Sequence, residues 1–253
     1  MTVKPAEPPT AIRKVVAVVE AMAHGHRVTE IARATRLPTS TVHRILQELV
    51  DVGWARESED RRYALGARLL TVAGHAEGSF LVVRAARPIL RTLRERTGHT
   101  VHLGVREGDE VVYVDKLDGR RAYQMRSRIG LSISLHSTAI GKAILAHLPD
   151  DEVRRIAART GLPARTERTI TDVSLLLGHI AKVREAGFAI DDEENEVHTR
   201  CIGAAVIDHR GQAIAAVSLS SLAFDLDATM IRTLAPAVVE TAQELSAVLG
   251  AST

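Results

Sequence analysis

Four polar residues recur at helical spacing between positions 40 and 47. Ser40, His43, Arg44 and Gln47 stand at i, i+3, i+4 and i+7, so a helix would place all four on one face. Arginine pairs with guanine O6 and N7 in the major groove of DNA, and glutamine pairs with adenine. The apolar residues between them would bury the opposite face. The spacing therefore predicts a helix that offers hydrogen-bonding groups to base edges.

Hydroxyl and basic side chains flank this predicted face. Thr39, Ser40 and Thr41 stand at the expected helix start, where hydroxyls and unpaired backbone amides suit phosphate oxygens. Arg61 and Arg62 follow on a charged turn within reach of a flanking phosphate backbone. Acidic residues share that turn and oppose this role. On periodicity alone, a DNA interface and an ordinary corner between two helices are equal alternatives.

A second candidate site lies in the segment Leu135–Lys142, which joins a predicted strand to a helix start. Unpaired amides at Ser137–Ile140, together with the helix dipole, would favour a bound carboxylate. Asp191 ends one predicted strand and Cys201 begins another, so both side chains could face the same cavity. The alternative is structural, because a hydroxyl before a helix is often only a cap and a lone cysteine often lies in a core.

Some of these residues would also permit other chemistries. His136, Asp191 and Cys201 are all metal-ligand types, and Cys201 with His136 could form a thiol–histidine pair. These positions have no metal-binding spacing, and the chain contains no nucleophile-elbow, zinc-protease, P-loop or dinucleotide motif. The sequence therefore predicts a non-enzyme without metal or cofactor, with the divalent ion and the thiol–histidine enzyme as alternatives.

The bulk composition sets wide bounds. The 253 residues have room for two domains, the apolar share of 45% can build cores, and the net charge of +2 does not by itself indicate nucleic acid. The single cysteine fits a reducing compartment, and no apolar run reaches the roughly 18 residues that span a bilayer. We therefore expect a cytoplasmic protein without a membrane partner, and the DNA-binding interpretation adds association with the nucleoid.

The elements that must position the first site form a winged helix. Helices are predicted at 11–23 and 30–35, with Thr29 as an N-cap to the second. A turn at 37–41 leads into a longer helix to about Val50, and strands follow at 54–56 and 62–65. A further helix at 68–75 leads out of this unit, and Gly78-Ser79 marks a linker. The predicted domains are a disordered arm at 1–10, a winged helix-turn-helix domain at 11–66, a linker helix at 67–79 and a second domain at 80–253.

The second domain mixes strands and helices without a regular βαβ repeat, so its class is α+β. Strands are predicted at 101–105, 111–117, 122–127, 131–135, 188–191, 201–207 and 213–219, and helices at 80–97, 137–147, 151–160, 172–186 and 227–249. The candidate carboxylate site then lies where a strand meets the helix at 137–147.

A family resemblance covers nearly the whole chain. The segment RVTEIARATRLPTSTVHRILQELVDVGWARESEDRRYALGARLL resembles the N-terminal domain of the isocitrate lyase regulator (IclR) family of bacterial transcription regulators. The resemblance continues in order through TGHTVHLGV, VVYVDKL, MRSRIG, LHSTAIGKAILAHLP, RTERTIT, VREAGFAIDDEENEVHTRCIGAAVID and AVSLS. It implies a DNA-binding regulator, more often a repressor, with a GAF-like second domain that binds small organic acids.

The resemblance also implies an effector site. The matching positions are Met125, Ile133, Ala139, Ile140, Asp191 and Cys201, with Ala122 and Thr199 at the rim. The amides at Ala139 and Ile140 would hold a carboxylate, and Asp191 would accept from a hydroxyl or a hydrated carbonyl. Because some relatives carry leucine at Ala122 and Thr199, a smaller and more polar wall favours a hydroxylated ligand such as a sugar acid.

The implied assembly is a homodimer, extended to a homotetramer as a dimer of dimers, on palindromic operator DNA. One residue departs from the family pattern, since Arg36 stands where a glycine usually precedes Leu37-Pro38. A left-handed non-glycine residue costs about 1–2 kcal/mol, so we expect a strained or reshaped turn, with Arg36 either contacting phosphate or solvated. A small-molecule-binding or oligomerisation module without DNA function is the alternative, and the intact Ser40, Arg44 and Gln47 oppose it.

Overall fold

The computed structural model describes residues 10–23, 26–74, 77–120 and 125–249. Nearly all of the predicted arm at 1–10 lies outside the described residues. Backbone contacts divide the chain into two compact units, Met1–Glu77 and Gly78–Thr253. None of the helices in the described part is both long and apolar enough to cross a membrane.

The first unit is a helix-turn-helix followed by a wing. Its elements are α1 (Ala11–Met22), β1 (His26–Arg27), α2 (Val28–Thr35), α3 (Thr39–Asp51), β2 (Ala55–Glu57), β3 (Arg62–Leu65) and α4 (Arg68–Gly74). The three strands are antiparallel in the order β1-β3-β2. The predicted N-cap at Thr29 is wrong: α2 begins at Val28, because the Glu30 carboxylate accepts the Arg27 amide at 2.7 Å and starts the helix earlier.

The residue in the turn between α2 and α3, Arg36, has a left-handed backbone conformation although it is not glycine. Arg36 has φ 56° and ψ 30°, and its amide donates back to Ala32 and Arg33 carbonyls. The Leu37 amide also donates to the Ala32 carbonyl, at 3.2 Å. This is the arrangement that glycine usually provides at a helix end. The turn is therefore strained at Arg36 rather than reshaped.

Substituting Arg36→Gly is expected to raise the free energy of unfolding of the first unit by about 0.5–1 kcal/mol, because the relieved strain exceeds the added chain entropy. Urea unfolding monitored by the fluorescence of Trp54, the sole tryptophan, measures this unit selectively. Arg33→Gly is the matched control, since Arg33 is an exposed residue inside α2 and glycine there should destabilise. An unchanged or lower midpoint for Arg36→Gly would contradict strain at this turn.

The second unit contains a six-stranded antiparallel sheet with helices on both faces, which confirms the α+β class. Its elements are α5 (Glu77–Thr97), β4 (Thr100–Glu107), β5 (Glu110–Leu117), β6 (Ser132–Ser134), α6 (Ala139–Ala146), α7 (Asp150–Thr160), α8 (Val173–Ala186), β7 (Ala189–Asp192), β8 (Thr199–Ile207), β9 (Ala213–Leu222) and α9 (Ala228–Val248). The strand order is β6-β5-β4-β9-β8-β7.

Helix α5 begins at Glu77 rather than at residue 80 and runs through Gly78, Ser79 and Pro88, because the roughly 1 kcal/mol that a helical glycine costs does not end this 21-residue helix. The predicted linker position at Gly78-Ser79 is therefore helical, and the two compact units divide there. The strand expected at 122–127 lies partly outside the described residues, and Met125–Ser127 form no strand. The Lys116 ammonium instead donates hydrogen bonds to the carbonyl oxygens of Met125 and Ser127, each at 2.9 Å. These two carbonyls therefore have a partner without a neighbouring strand.

The sheet presents different chemistry on its two faces. Val101 and Leu103 on β4, with Val217 and Leu219 on β9, pack in the apolar core that includes α5 and α9. The alternating residues of the same strands point to the other face, which α6 covers. There the register sets His102 beside Ser218. A row of polar groups on a buried sheet face is uncommon and marks the place of a candidate pocket.

Candidate DNA interface and ligand pocket

Helix α3 presents the predicted reading face as an exposed surface. Ser40, His43 and Arg44 are exposed, and the opposite side of the helix fills the core of the first unit. The Arg44 guanidinium donates to the Glu48 carboxylate at 3.2 Å, with the two side chains 73% and 69% exposed. Exposed pairs of this kind contribute only about 0–1 kcal/mol. Arg44 can therefore exchange Glu48 for a base edge with little loss of stability.

Gln47 has a second role that the spacing did not reveal. Its side chain is half-buried, and its amide nitrogen donates to the hydroxyl of Tyr63 at 3.0 Å. Tyr63 lies on β3 and is only 2% exposed. The bond therefore ties α3 to the wing. Gln47 has one amide oxygen left for a base contact, while its nitrogen fixes the angle between the helix and the sheet.

The start of α3 is open to an anion. Pro38 precedes the helix and supplies no capping side chain, so the first amides of α3 lack a side-chain acceptor. Thr39 and Ser40 are exposed beside these amides, and Thr41 is half-buried. Amides and hydroxyls at a helix start are suited to a phosphate oxygen.

The remaining basic candidates are exposed but not equivalent. Arg36 stands at the turn before α3, and Arg61 lies at the wing tip with φ 56°. Arg62 pairs with Asp60 at 3.0 Å. The wing therefore carries both charge signs, and its attraction for phosphate is weaker than its arginines alone would give.

The candidate ligand pocket is a cavity of about 100 Å³ between α6 and the polar sheet face. Seven of the residues that the resemblance implied line it: Met125, Ile133, Ala139, Ile140, Asp191, Thr199 and Cys201. Ala122 lies outside the described residues. These seven residues come from strands β6, β7 and β8, from the start of α6 and from the segment after β5.

The start of α6 forms one wall of this pocket. Thr138 caps the helix: its hydroxyl accepts the Gly141 amide at 3.0 Å and its carbonyl accepts the Lys142 amide at 2.9 Å. The amides of Ala139 and Ile140 are the first-turn donors that Thr138 does not take. The helix start presses on β8 at Gly203, where an added Cβ would lie 2.7 Å from the Ala139 carbonyl carbon. Glycine at position 203 is what lets these amides reach the sheet.

Asp191 is the ionisable group of the pocket. It is 2% exposed, and its Oδ1 accepts the amides of Glu194 at 2.8 Å and Asn195 at 3.3 Å. Burial raises the pKa of Asp191 to about 7, against the opposing effect of Lys142. Near neutral pH this carboxyl therefore exists in both forms and can either donate or accept a hydrogen bond.

The structure separates the residues that suggested a metal or a thiol–histidine pair. Asp191 and Cys201 are paired across β7 and β8, whereas His136 lines a different cavity with Asp109, Ile156 and Arg165. The His136 ring nitrogen Nε2 donates to the Pro163 carbonyl at 3.2 Å. Burial also raises the pKa of the Cys201 thiol, which keeps it protonated. Within the described ranges, no three histidine, cysteine, aspartate or glutamate side chains group as metal ligands.

Sequence reasoning missed the polar floor of the pocket. The His102 ring contacts two hydroxyls, with Nε2 2.7 Å from Ser127 Oγ and Nδ1 3.4 Å from Ser220 Oγ. Burial, assisted by Lys116, lowers the pKa of His102 to about 3, so its ring is neutral. The signal was present as polar residues at alternating positions in otherwise apolar strands. Ser218 and Tyr113 complete this floor.

Comparisons with known proteins identify a family for each of the two units. The IclR helix-turn-helix domain matches residues 11–59, and the bacterial transcriptional regulator IclR C-terminal domain matches residues 75–247. The chain is 36% identical over 214 residues to the HTH-type transcriptional regulator KdgR of Escherichia coli K12, covering 83% of this chain and 81% of that protein. It is 30% identical over 226 residues to the transcriptional repressor IclR of the same organism, covering 88% and 82%.

The crystal structure of the Thermotoga maritima IclR has the same fold, with a TM-score of 0.77 and 32% identity over 94% of this chain and 98% of that one. The two matched domains together span most of the sequence, the first within the first compact unit and the second over nearly all of the second unit. This chain belongs to the IclR family of DNA-binding bacterial transcription regulators.

Proposed function

We propose that this regulator is a repressor whose operator binding is controlled by a small organic acid bound in its second unit. The observation that carries the proposal is the convergence of the Ala139 and Ile140 amides with Asp191 on one cavity. Amides at a helix start stabilise a carboxylate, and Asp191 supplies a second polar contact. The name of the relative IclR, a transcriptional repressor, supports repression.

The pocket chemistry favours a hydroxylated acid, such as a short sugar acid. Thr199 is 4% exposed, and its hydroxyl has no hydrogen-bond partner among the described residues. An unpaired buried hydroxyl costs about 1–3 kcal/mol, which a ligand hydroxyl would recover. Ser218, Ser220 and His102 offer further donors and acceptors around the same space.

The DNA side of the proposal places α3 in the major groove. Ser40, His43, Arg44 and Gln47 would contact base edges, and a second set of residues would contact phosphate: Arg36, Thr39, Thr41, Arg61 and Arg62. We propose a homodimer, assembled further into a dimer of dimers, on a palindromic operator with half-sites about one helical turn apart. The acid would regulate binding by favouring one arrangement of the paired readers, with a differential of about 1–3 kcal/mol.

A thermal-shift screen of small carboxylates tests the ligand side. The panel compares D-glycerate and D-gluconate with pyruvate and 4-hydroxybenzoate, using the full-length protein. We expect a hydroxylated acid to raise the melting temperature, and we expect no such rise in Thr199→Leu, which fills the polar wall with an apolar side chain. Stabilisation by 4-hydroxybenzoate alone would overturn the hydroxylated-acid proposal, and stabilisation by no acid would overturn the carboxylate proposal.

Binding of the acid is expected to weaken as the pH rises through about 7. The folded-state pKa of Asp191 lies above its ordinary value, so the fold favours the protonated carboxyl. The hydrogen bond that this protonated carboxyl donates to the acid is lost as the pH rises through that pKa. Protonated Asp191 donates to an anionic ligand, whereas ionised Asp191 repels it. Calorimetry at pH 6 and pH 8 measures the difference, and Asp191→Asn should flatten it. Equal wild-type affinities at both pH values would contradict this role.

A further inference from the structure

A buried ion pair lies directly behind the ligand pocket. Lys142 stands on α6, one turn beyond the Ala139 and Ile140 amides, and its side chain is 0% exposed. Its ammonium pairs with the carboxylate of Glu194, which is 5% exposed and lies in the turn between β7 and β8. Breaking a buried pair by removing one partner is strongly destabilising, so both charges enter the fold together.

Glu194 connects three parts of the second unit. Its side chain contacts α6 through Lys142, and its amide donates to Asp191 Oδ1 at 2.8 Å. Its carbonyl accepts the Thr169 hydroxyl at 2.6 Å, which anchors the turn to the segment after α7. The amide of Asn195 adds a second bond to Asp191. The position of Asp191 in the pocket therefore depends on a turn that Lys142 holds against α6.

The pair is not arranged for stability alone. The second carboxylate oxygen of Glu194, Oε2, is buried and has no hydrogen-bond partner among the described residues. A buried ion pair usually offsets its desolvation only when its remaining lone pairs are satisfied, and apolar residues of similar volume often serve stability as well or better. The desolvation cost of the Lys142–Glu194 pair indicates that the pair has a role beyond stabilising the fold.

Lys142 is the positively charged residue among the described titratable groups that surround Asp191. Within the described part of the chain, the titratable groups that act on Asp191 are Lys142 from α6, Glu194 from the turn, and Tyr113 and Cys201 from β5 and β8. Glu196 from the same turn lines the pocket as well. Burial raises the pKa of both Tyr113 and Cys201, so these two are neutral. Lys142 is the cation of this set, and it opposes the rise in the pKa of Asp191.

We propose that Lys142 and Glu194 are positioning residues of the ligand pocket: their ion pair fixes the Asp191 carboxyl against the start of α6, and Lys142 tunes the charge of that carboxyl. This inference rests on the proposed function of the pocket, but the pair's action on Asp191 exists without any ligand. Lys142 and Glu194 would then determine both the position and the protonation of the Asp191 carboxyl, which contacts the bound acid.

The test replaces both charges together, as Lys142→Met with Glu194→Met in the full-length protein, because an apolar pair avoids an unpaired buried charge. Selectively ¹³C-labelled aspartate, with Asp191 assigned by its loss in Asp191→Asn, gives the titration midpoint of the carboxyl by NMR. We expect the midpoint to move to higher pH, and we expect the Glu194 and Asn195 amides to exchange with solvent at least about tenfold faster. The control pair is Asp109→Asn with Arg159→Met, which removes an ion pair elsewhere in the same unit.

Binding of D-glycerate at pH 7, measured by calorimetry, separates charge from position. A higher Asp191 midpoint alone would strengthen binding of an anion, so weaker binding by at least about tenfold in the double-methionine variant reports lost positioning. An unchanged midpoint and unchanged amide exchange would overturn the inference, as would equal or tighter D-glycerate binding. If wild type binds no D-glycerate while midpoint and exchange both change, the ligand class fails and the positioning role stands.

Discussion

Arg44→Ala is expected to reduce specific operator affinity by roughly 30-fold or more. A bidentate contact to guanine discriminates against a wrong base by about 1–3 kcal/mol, and a homodimer would lose one such contact in each half-site. The side chain is exposed and its pair with Glu48 is weak, so the fold should be unaffected. Fluorescence anisotropy with DNA from upstream of the protein's own gene, at one fixed salt concentration, measures the loss.

The control for Arg44→Ala is Arg154→Ala, which removes the same charge from an exposed position on α7. Its operator affinity should stay close to that of wild type. Arg44→Ala should also retain most of its affinity for unrelated DNA, because phosphate contacts supply that binding. A footprint and an affinity identical to wild type would remove Arg44 from the reading face.

Asp191→Ala is expected to abolish stabilisation by the organic acid while leaving operator binding without ligand intact. A hydrogen bond to a charged group contributes about 1.5–3 kcal/mol, so the affinity for the acid should fall roughly 10- to 150-fold. Thermal shift and calorimetry measure the acid, and anisotropy measures the DNA. Alanine also deprives the Glu194 and Asn195 amides of their acceptor.

Asp191→Asn separates those two effects. Its side-chain oxygen still accepts the Glu194 amide, so the turn should stay in place while the titratable proton is lost. We expect acid binding that is weaker at pH 6 than in wild type but measurable, and independent of pH. If Asp191→Ala responds to the acid as wild type does, the ligand must bind elsewhere.

The local sequence pattern was sufficient to predict helix α3 and its exposed face. The apolar residues Val42, Ile45, Leu46 and Leu49 recur with helical period, and they are the residues that α3 buries. The polar positions between them had to face outward. The bond from Gln47 to Tyr63 could not be predicted, because it joins residues 16 apart through the packing of the wing on α3.

The pocket was only half predictable for a similar reason. The start of α6 is visible in the chain as a hydroxyl followed by small residues, but its floor comes from strands that are distant in sequence. His102 and Ser220 meet only because β4 pairs with β9. The separation of His136 from Cys201 and the complete burial of Lys142 are likewise products of tertiary packing, which spacing does not encode.

Control of DNA binding by the pocket is tested by the operator affinity with and without the acid that the screen identifies, in wild type and in Asp191→Ala. The specific affinity should fall steeply with salt, because phosphate contacts release counterions. The acid should change this affinity about 5- to 150-fold in wild type and not at all in Asp191→Ala. Specific DNA binding that the acid leaves unchanged in wild type would contradict control by the pocket.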